Sequence, residues 1–156
     1  MDAPNEVLAQ LFESAPRFVA RLAAETVESW TGLLDRAERI ALTMPEDEQV
    51  ELLDAHPRIG ADPAGVSAMS YREQGYDHDP GSAELQERLD RLNDQYERRN
   101  GFRFVIFVNG RSRAEIADVM EAMLHVSRDQ EMARALQDVV AIARHRLANL
   151  GYQTRQ

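Results

Sequence analysis

"NGFRFVIFVNG", residues 100–110, decides the fold class of this chain. Its centre, residues 102–108, has the aromatic and β-branched composition of a strand and lies between two Asn-Gly pairs, which favour turns. A strand needs a neighbour for its backbone donors and acceptors, and the chain offers no second run of this kind. The segment therefore reads as a short buried extended connector between helices. Everything around it carries helical periodicity, so the class is all-α.

Upstream, Leu85, Leu89, Leu92 and Tyr96 form one helical stripe, closed by Asn100 and Gly101 as a left-handed cap. Downstream, Ser112 and Glu115 form a capping box ahead of Ile116, Val119, Met120, Met123 and Leu124. Ser127 and Gln130 repeat the device before a helix running to Leu150, with Gly151 as its stop. In the N-terminal half, Asn5 or Pro4 opens a stretch carrying Leu8, Leu11 and Phe12. Ser14 then acts as cap and Pro16 as restart for Phe18, Val19 and Leu22, giving two short helices or one kinked helix. Trp30, Leu33, Leu34, Ala37, Ile40 and Ala41 make a further helix that ends before Pro45. Pro45 and the acids after it open another, with Val50, Leu52 and Leu53 on its apolar face, until Pro57 disfavours helical geometry at His56. Residues 60–82 are rich in Gly and Pro and form a long loop with a short helix over 67–74. The expectation is one compact domain over residues 1–156 with about seven or eight helices.

Composition narrows the chemistry. The formal net charge is −9, which repels nucleic-acid phosphates and anionic membranes on average. No apolar run exceeds Phe104–Val108 in length, far short of a bilayer span, and the N-terminus shows no basic segment followed by an apolar one. A soluble, cytoplasmic protein is expected, with neither nucleic acid nor membrane as partner. There is no cysteine, which removes disulfides, thiolate nucleophiles and cysteine-bound zinc. All 18 basic residues are arginine, which removes a lysine Schiff base and a phosphate-loop lysine. Acid–base transfer, hydrogen bonding and hard metal coordination are left.

His56, just past a helix end and followed by a stiffening proline, is placed to present its ring to a cleft; equally, it can be a surface histidine at the negative end of the helix dipole. Glu73 and Gln74 stand on the far arm of the long loop. A carboxylate there would raise the imidazole pKa and complete an acid–base pair, or both residues belong to a solvated helix face. Asp77, His78 and Asp79 are a possible hard-metal set but more simply a polar loop, because consecutive residues rarely converge on one ion. His125 and His145 read as structural or solvent-facing. Of Arg144 and Arg146, only one can face a given side of their helix.

Four stretches in order, "HPRIG" (56–60), "SYREQ" (70–74), "NGFRFVIFVNGRS" (100–112) and "ALQDVVAIARHRL" (135–147), together with "LFESAP" (11–16), resemble the successive motifs of the OHCU decarboxylase family. OHCU is 2-oxo-4-hydroxy-4-carboxy-5-ureidoimidazoline, and the family acts last of three enzymes in converting urate to (S)-allantoin. The resemblance implies a helical fold, a homodimer, a small-molecule substrate and no metal or organic cofactor. Carried over residue by residue, it implies that His56 and Glu73 are catalytic. It implies that Pro57, Ser70, Gln74, the backbone of Val105 and Ile106, and Arg146 bind substrate. The chain departs from the family's pattern at Arg103, where proline is usual, and in a short loop between His56 and Glu73. Two other readings stand beside this one: a different ureide or purine enzyme on the same scaffold, and a non-enzymatic helical interaction module.

Overall fold

The structure, a computed structural model, describes residues 3–61, 69 and 82–151. Among these residues there are seven helices and no strand: α1 (Asn5–Phe12), α2 (Pro16–Ala23), α3 (Trp30–Thr43), α4 (Glu46–Asp54), α5 (Ala83–Asn100), α6 (Arg113–Met123) and α7 (Arg128–Asn149). The short helix expected over 67–74 lies, but for Met69, outside the described residues, as do Ser70, Glu73, Gln74, Asp77, His78 and Asp79.

Local chemistry sets the boundaries. Ser29, Ser82, Ser112 and Ser127 each accept a backbone N–H at the start of their helix, and Ser112 with Glu115 closes the full reciprocal box. Gly101 takes the left-handed φ of 78° that ends α5. The N-terminal stretch is two helices rather than one kinked helix. Ser14 is not the cap of the second: Ala15 holds that position without a side-chain bond, and Pro16 starts the helix by its fixed φ.

Helix α7 is the centre of the packing, touching α1, α3 and α4, while α2 bridges α1, α3 and α4, and α5 pairs with α6. Residues 102–108 form an extended connector, with Phe102, Phe104, Val105, Ile106 and Val108 buried in the core. Side chains from helices stand in for the missing sheet partner. The Arg103 amide donates to Asp54 Oδ1 at 2.9 Å, the Phe107 amide donates to Asp138 Oδ2 at 3.1 Å, and Arg134 Nη2 donates to the Val105 carbonyl at 3.0 Å.

Beneath the connector, Tyr96 meets the rings of Phe102 and Phe104 edge to face, at 5.8 and 5.1 Å. The Tyr96 hydroxyl donates to Glu131 Oε1 at 2.8 Å, and the same fully buried carboxylate receives Arg134 at 2.7 Å. A buried carboxylate is costly unless paired, and this pairing ties α5, α7 and the connector into one unit.

Candidate active site

Below α4 the "HPRIG" segment is stapled to α5. Arg58 donates to Glu97 and Asp94 at 2.8 and 2.9 Å, Asn93 Nδ2 donates to the Ile59 carbonyl at 3.0 Å, and Gln86 Nε2 donates to the Gly60 carbonyl at 2.8 Å. Gly60 has φ +80°, and a Cβ there would lie 2.8 Å from Leu89 Cδ1. Both facts require glycine. Arg103, the departure from the family's proline, donates from Nη1 to the carbonyls of Asp54 at 2.9 Å and His56 at 2.8 Å, satisfying acceptors that the end of α4 leaves open.

Held between these braces, His56 is 3% exposed, which overturns the surface-histidine alternative. Its Nδ1 lies 3.0 Å from the Leu52 carbonyl. A carbonyl only accepts, so in the neutral ring Nδ1 carries the proton and Nε2 keeps its lone pair. Nε2 is buried and meets no hydrogen-bond partner among the described residues. Burial, reinforced by the Arg146 cation and opposed by the Glu13 carboxylate, pushes the imidazole down from 6.5 to about 4. The ring is thus neutral near pH 7, with its net shift opposite to the rise that a partnering carboxylate would produce.

The ring faces a cavity of ≈ 230 Å³ with three walls. His56, Pro57 and Ile59 form one, residues 104–110 of the connector and its turn form the second, and Ile142, His145 and Arg146 of α7 form the third. Of the candidate residues within the described chain, His56, Pro57, Val105, Ile106 and Arg146 all line it. Arg146 is 2% exposed; Nη1 donates to the Gln10 carbonyl at 3.0 Å and Nη2 to Glu13 Oε1 at 2.9 Å. Arg144 instead points outward, to Asp35 on α3 at 2.8 Å. The arrangement sets a neutral imidazole base beside a buried guanidinium in an otherwise largely apolar pocket, suited to moving one proton near a bound anion.

Sequence reasoning passed over three residues. His145, read as structural or solvent-facing, is exposed but also lines the cavity, its ring 5.5 Å from that of Phe107. Asn109 turns the connector at the cavity wall with φ 49°, which the Asn-Gly pair signals. Glu13 reaches Arg146 from the far end of the chain; it lies in the "LFESAP" stretch, but nothing there points to Arg146.

Residues 2–148 match the family model described as OHCU decarboxylase. The chain is 31% identical over 149 residues to the uric acid degradation bifunctional protein PucL of Bacillus subtilis (strain 168), an alignment covering 94% of this chain and 30% of that protein. It is 28% identical over 148 residues to the 2-oxo-4-hydroxy-4-carboxy-5-ureidoimidazoline decarboxylase of Haloferax volcanii, covering 94% of this chain and 88% of the relative. Thus the chain spans under a third of PucL but most of the Haloferax protein. In fold it is similar to a crystal structure of OHCU decarboxylase in the presence of (S)-allantoin, with TM-score 0.77 at 21% identity over 95% of this chain and 98% of the other.

Proposed function

Because the chain belongs to the OHCU decarboxylase family, we propose that it decarboxylates OHCU to (S)-allantoin and CO2, completing the conversion of urate to allantoin. The observation that carries this reading is the His56 imidazole, buried and neutral on the wall of the cavity that Arg146 shares, its Nδ1 fixed by Leu52 and its Nε2 without a hydrogen-bond partner among the described residues.

The substrate supplies its own electron sink. As the C–C bond to the carboxylate breaks and CO2 leaves, the electron pair moves into the ring and the adjacent C=N accepts it, so no cofactor is called for. The nitrogen of that C=N takes up a proton from solvent, the hydroxyl gives up its proton as its carbon becomes a carbonyl, and the neighbouring ring carbon takes a proton on one face. His56 Nε2 is the group for the hydroxyl proton, because the depressed pKa leaves the ring unprotonated at pH 7 with the Nε2 lone pair open to accept. Arg146 holds an anionic or carbonyl oxygen through its planar fork. The backbone of Val105 and Ile106, which line the cavity, binds the ring or ureido groups, with Pro57 closing the wall behind. Glu73, as partner of His56, and Ser70 and Gln74, as ligands of the ureido group, complete the proposed site. We read residues 1–156 as one domain acting as a cytoplasmic homodimer on this small molecule, without nucleic acid or membrane; among the described residues no helix is long and apolar enough to cross a bilayer.

The test generates OHCU from urate with the two upstream enzymes and follows circular dichroism as this protein is added. Spontaneous decay gives racemic allantoin, whereas a chiral pocket protonates one face. The (S)-allantoin signal should appear faster than background, and His56→Asn should slow it by about 10² to 10⁴. A wild-type protein that leaves rate and racemic outcome unchanged refutes the proposal and favours the interaction-module reading.

A further inference from the structure

We propose that Glu13 is a positioning residue for this reaction: its carboxylate, held on Arg146 by a strained backbone, fixes the orientation of the guanidinium in the cavity. The inference rests on reading that cavity as the decarboxylation site.

Glu13 follows the last residue of α1 with φ 59° and ψ −159°. Only glycine enters this region without strain, and any other residue costs of order 1–3 kcal/mol there. The turn between α1 and α2 would therefore be more stable with glycine, so local folding gives no reason for a glutamate. What the glutamate adds is a charge. Its Oε1 accepts from Arg146 Nη2 at 2.9 Å, with side-chain exposures of 2% for Arg146 and 14% for Glu13. Arg146 Nη1 donates at the same time to the carbonyls of Gln10 and Leu11, at 3.0 and 3.4 Å. The end of α1 thus grips one edge of the planar fork, and the fork's plane follows from these contacts.

The same carboxylate acts on His56. Among the described residues, the groups acting on the imidazole are the Leu52 carbonyl from α4, the Arg146 cation from α7, the Arg103 cation from the connector and the Glu13 anion from the α1–α2 turn. Removing the Glu13 charge takes away the anion that offsets these two cations among the described residues, and protonation of Nε2 becomes harder.

The test pairs activity with stability. Glu13→Gln keeps the shape and removes the charge. It should lower kcat/KM by up to about 10²-fold, the scale of a small misplacement at a reacting centre, and move the acid limb of the pH profile to lower pH. Glu13→Asp should recover part of the rate. Glu13→Ala and Glu13→Gly both lack the carboxylate and should be equally slow, yet the glycine variant should unfold at the higher temperature because it relieves the strain. A purely structural role would let activity follow stability and leave the acid limb in place. Should Glu13→Gln match an active wild type in rate and pH profile, the proposal is overturned. If the wild type itself does not turn over OHCU, the functional reading fails separately. NMR titration of His56 in Glu13→Gln then still decides the contact: a lowered pKa supports it and an unmoved one overturns it.

Discussion

Lowering the pH should destabilise this protein through His56 by an amount that the structure sets. The imidazole sits at about 4 in the folded chain against 6.5 when exposed, because burial and Arg146 disfavour its charged form. A base whose folded pKa is depressed binds its proton more readily when unfolded. Its contribution is therefore fully present above pH 6.5 and is lost as pH falls towards 4. Linkage gives a loss of about 2 kcal/mol by pH 5 and about 3 kcal/mol by pH 4, large against a typical total of roughly 5–15 kcal/mol. Carboxylates titrate at the lower end of this window, so the comparison is with His56→Asn, which keeps every other group. Urea unfolding followed by far-UV circular dichroism at pH 7.5, 6.5, 5.5 and 5.0 should show the gap between the two proteins moving by about 2 kcal/mol in favour of the variant. A gap that stays constant over that range refutes the buried neutral imidazole, and with it the assignment of Nε2 as an unprotonated acceptor at pH 7. Nitrogen chemical shifts of the ring, with Nδ1 protonated at pH 7, test the same point directly.

Arg146→Lys should abolish most turnover although it keeps the charge, since an ammonium cannot reproduce the fork on Gln10, Glu13 and the cavity. Arg144→Lys, altering a surface pair with side-chain exposures of 37% and 59%, should stay within about 1 kcal/mol of wild type in stability and near it in rate; the reverse ranking would sink the role given to Arg146. Gly60→Ala places a Cβ against Leu89 in a φ +80° backbone and should lower stability by at least about 1 kcal/mol in thermal unfolding, with a loss of rate as the segment carrying His56 shifts.

The helices of this protein are written locally, so they could be read from the chain alone. Three- and four-residue apolar spacing, serines that accept the first amides, and Gly101 after α5 each act within a few residues of where they stand. The same holds for the connector: residues 102–108 look like a strand, but a strand without a partner leaves its amides empty, and that argument needs only the sequence. The reading failed locally at Ser14: Pro16 starts the helix by its fixed φ, which puts Ala15, one residue later, at the cap. The site is different. That His56 ends a helix was legible; that it is buried, with its pKa driven down rather than up, was not, because burial is set by α5, α7 and the connector closing around it. Arg146 was preferred over Arg144 on resemblance, yet which of the two turns inward is decided by where α1 and α3 lie against α7. Glu13 meets Arg146 from 133 positions away in sequence, and a pairing between such distant residues leaves no periodicity or spacing to read. Hydrogen bonds and apolar stripes of single helices are short-range and belong to the sequence, whereas burial, and the charges that face a buried ring, arise only when distant elements exclude water together.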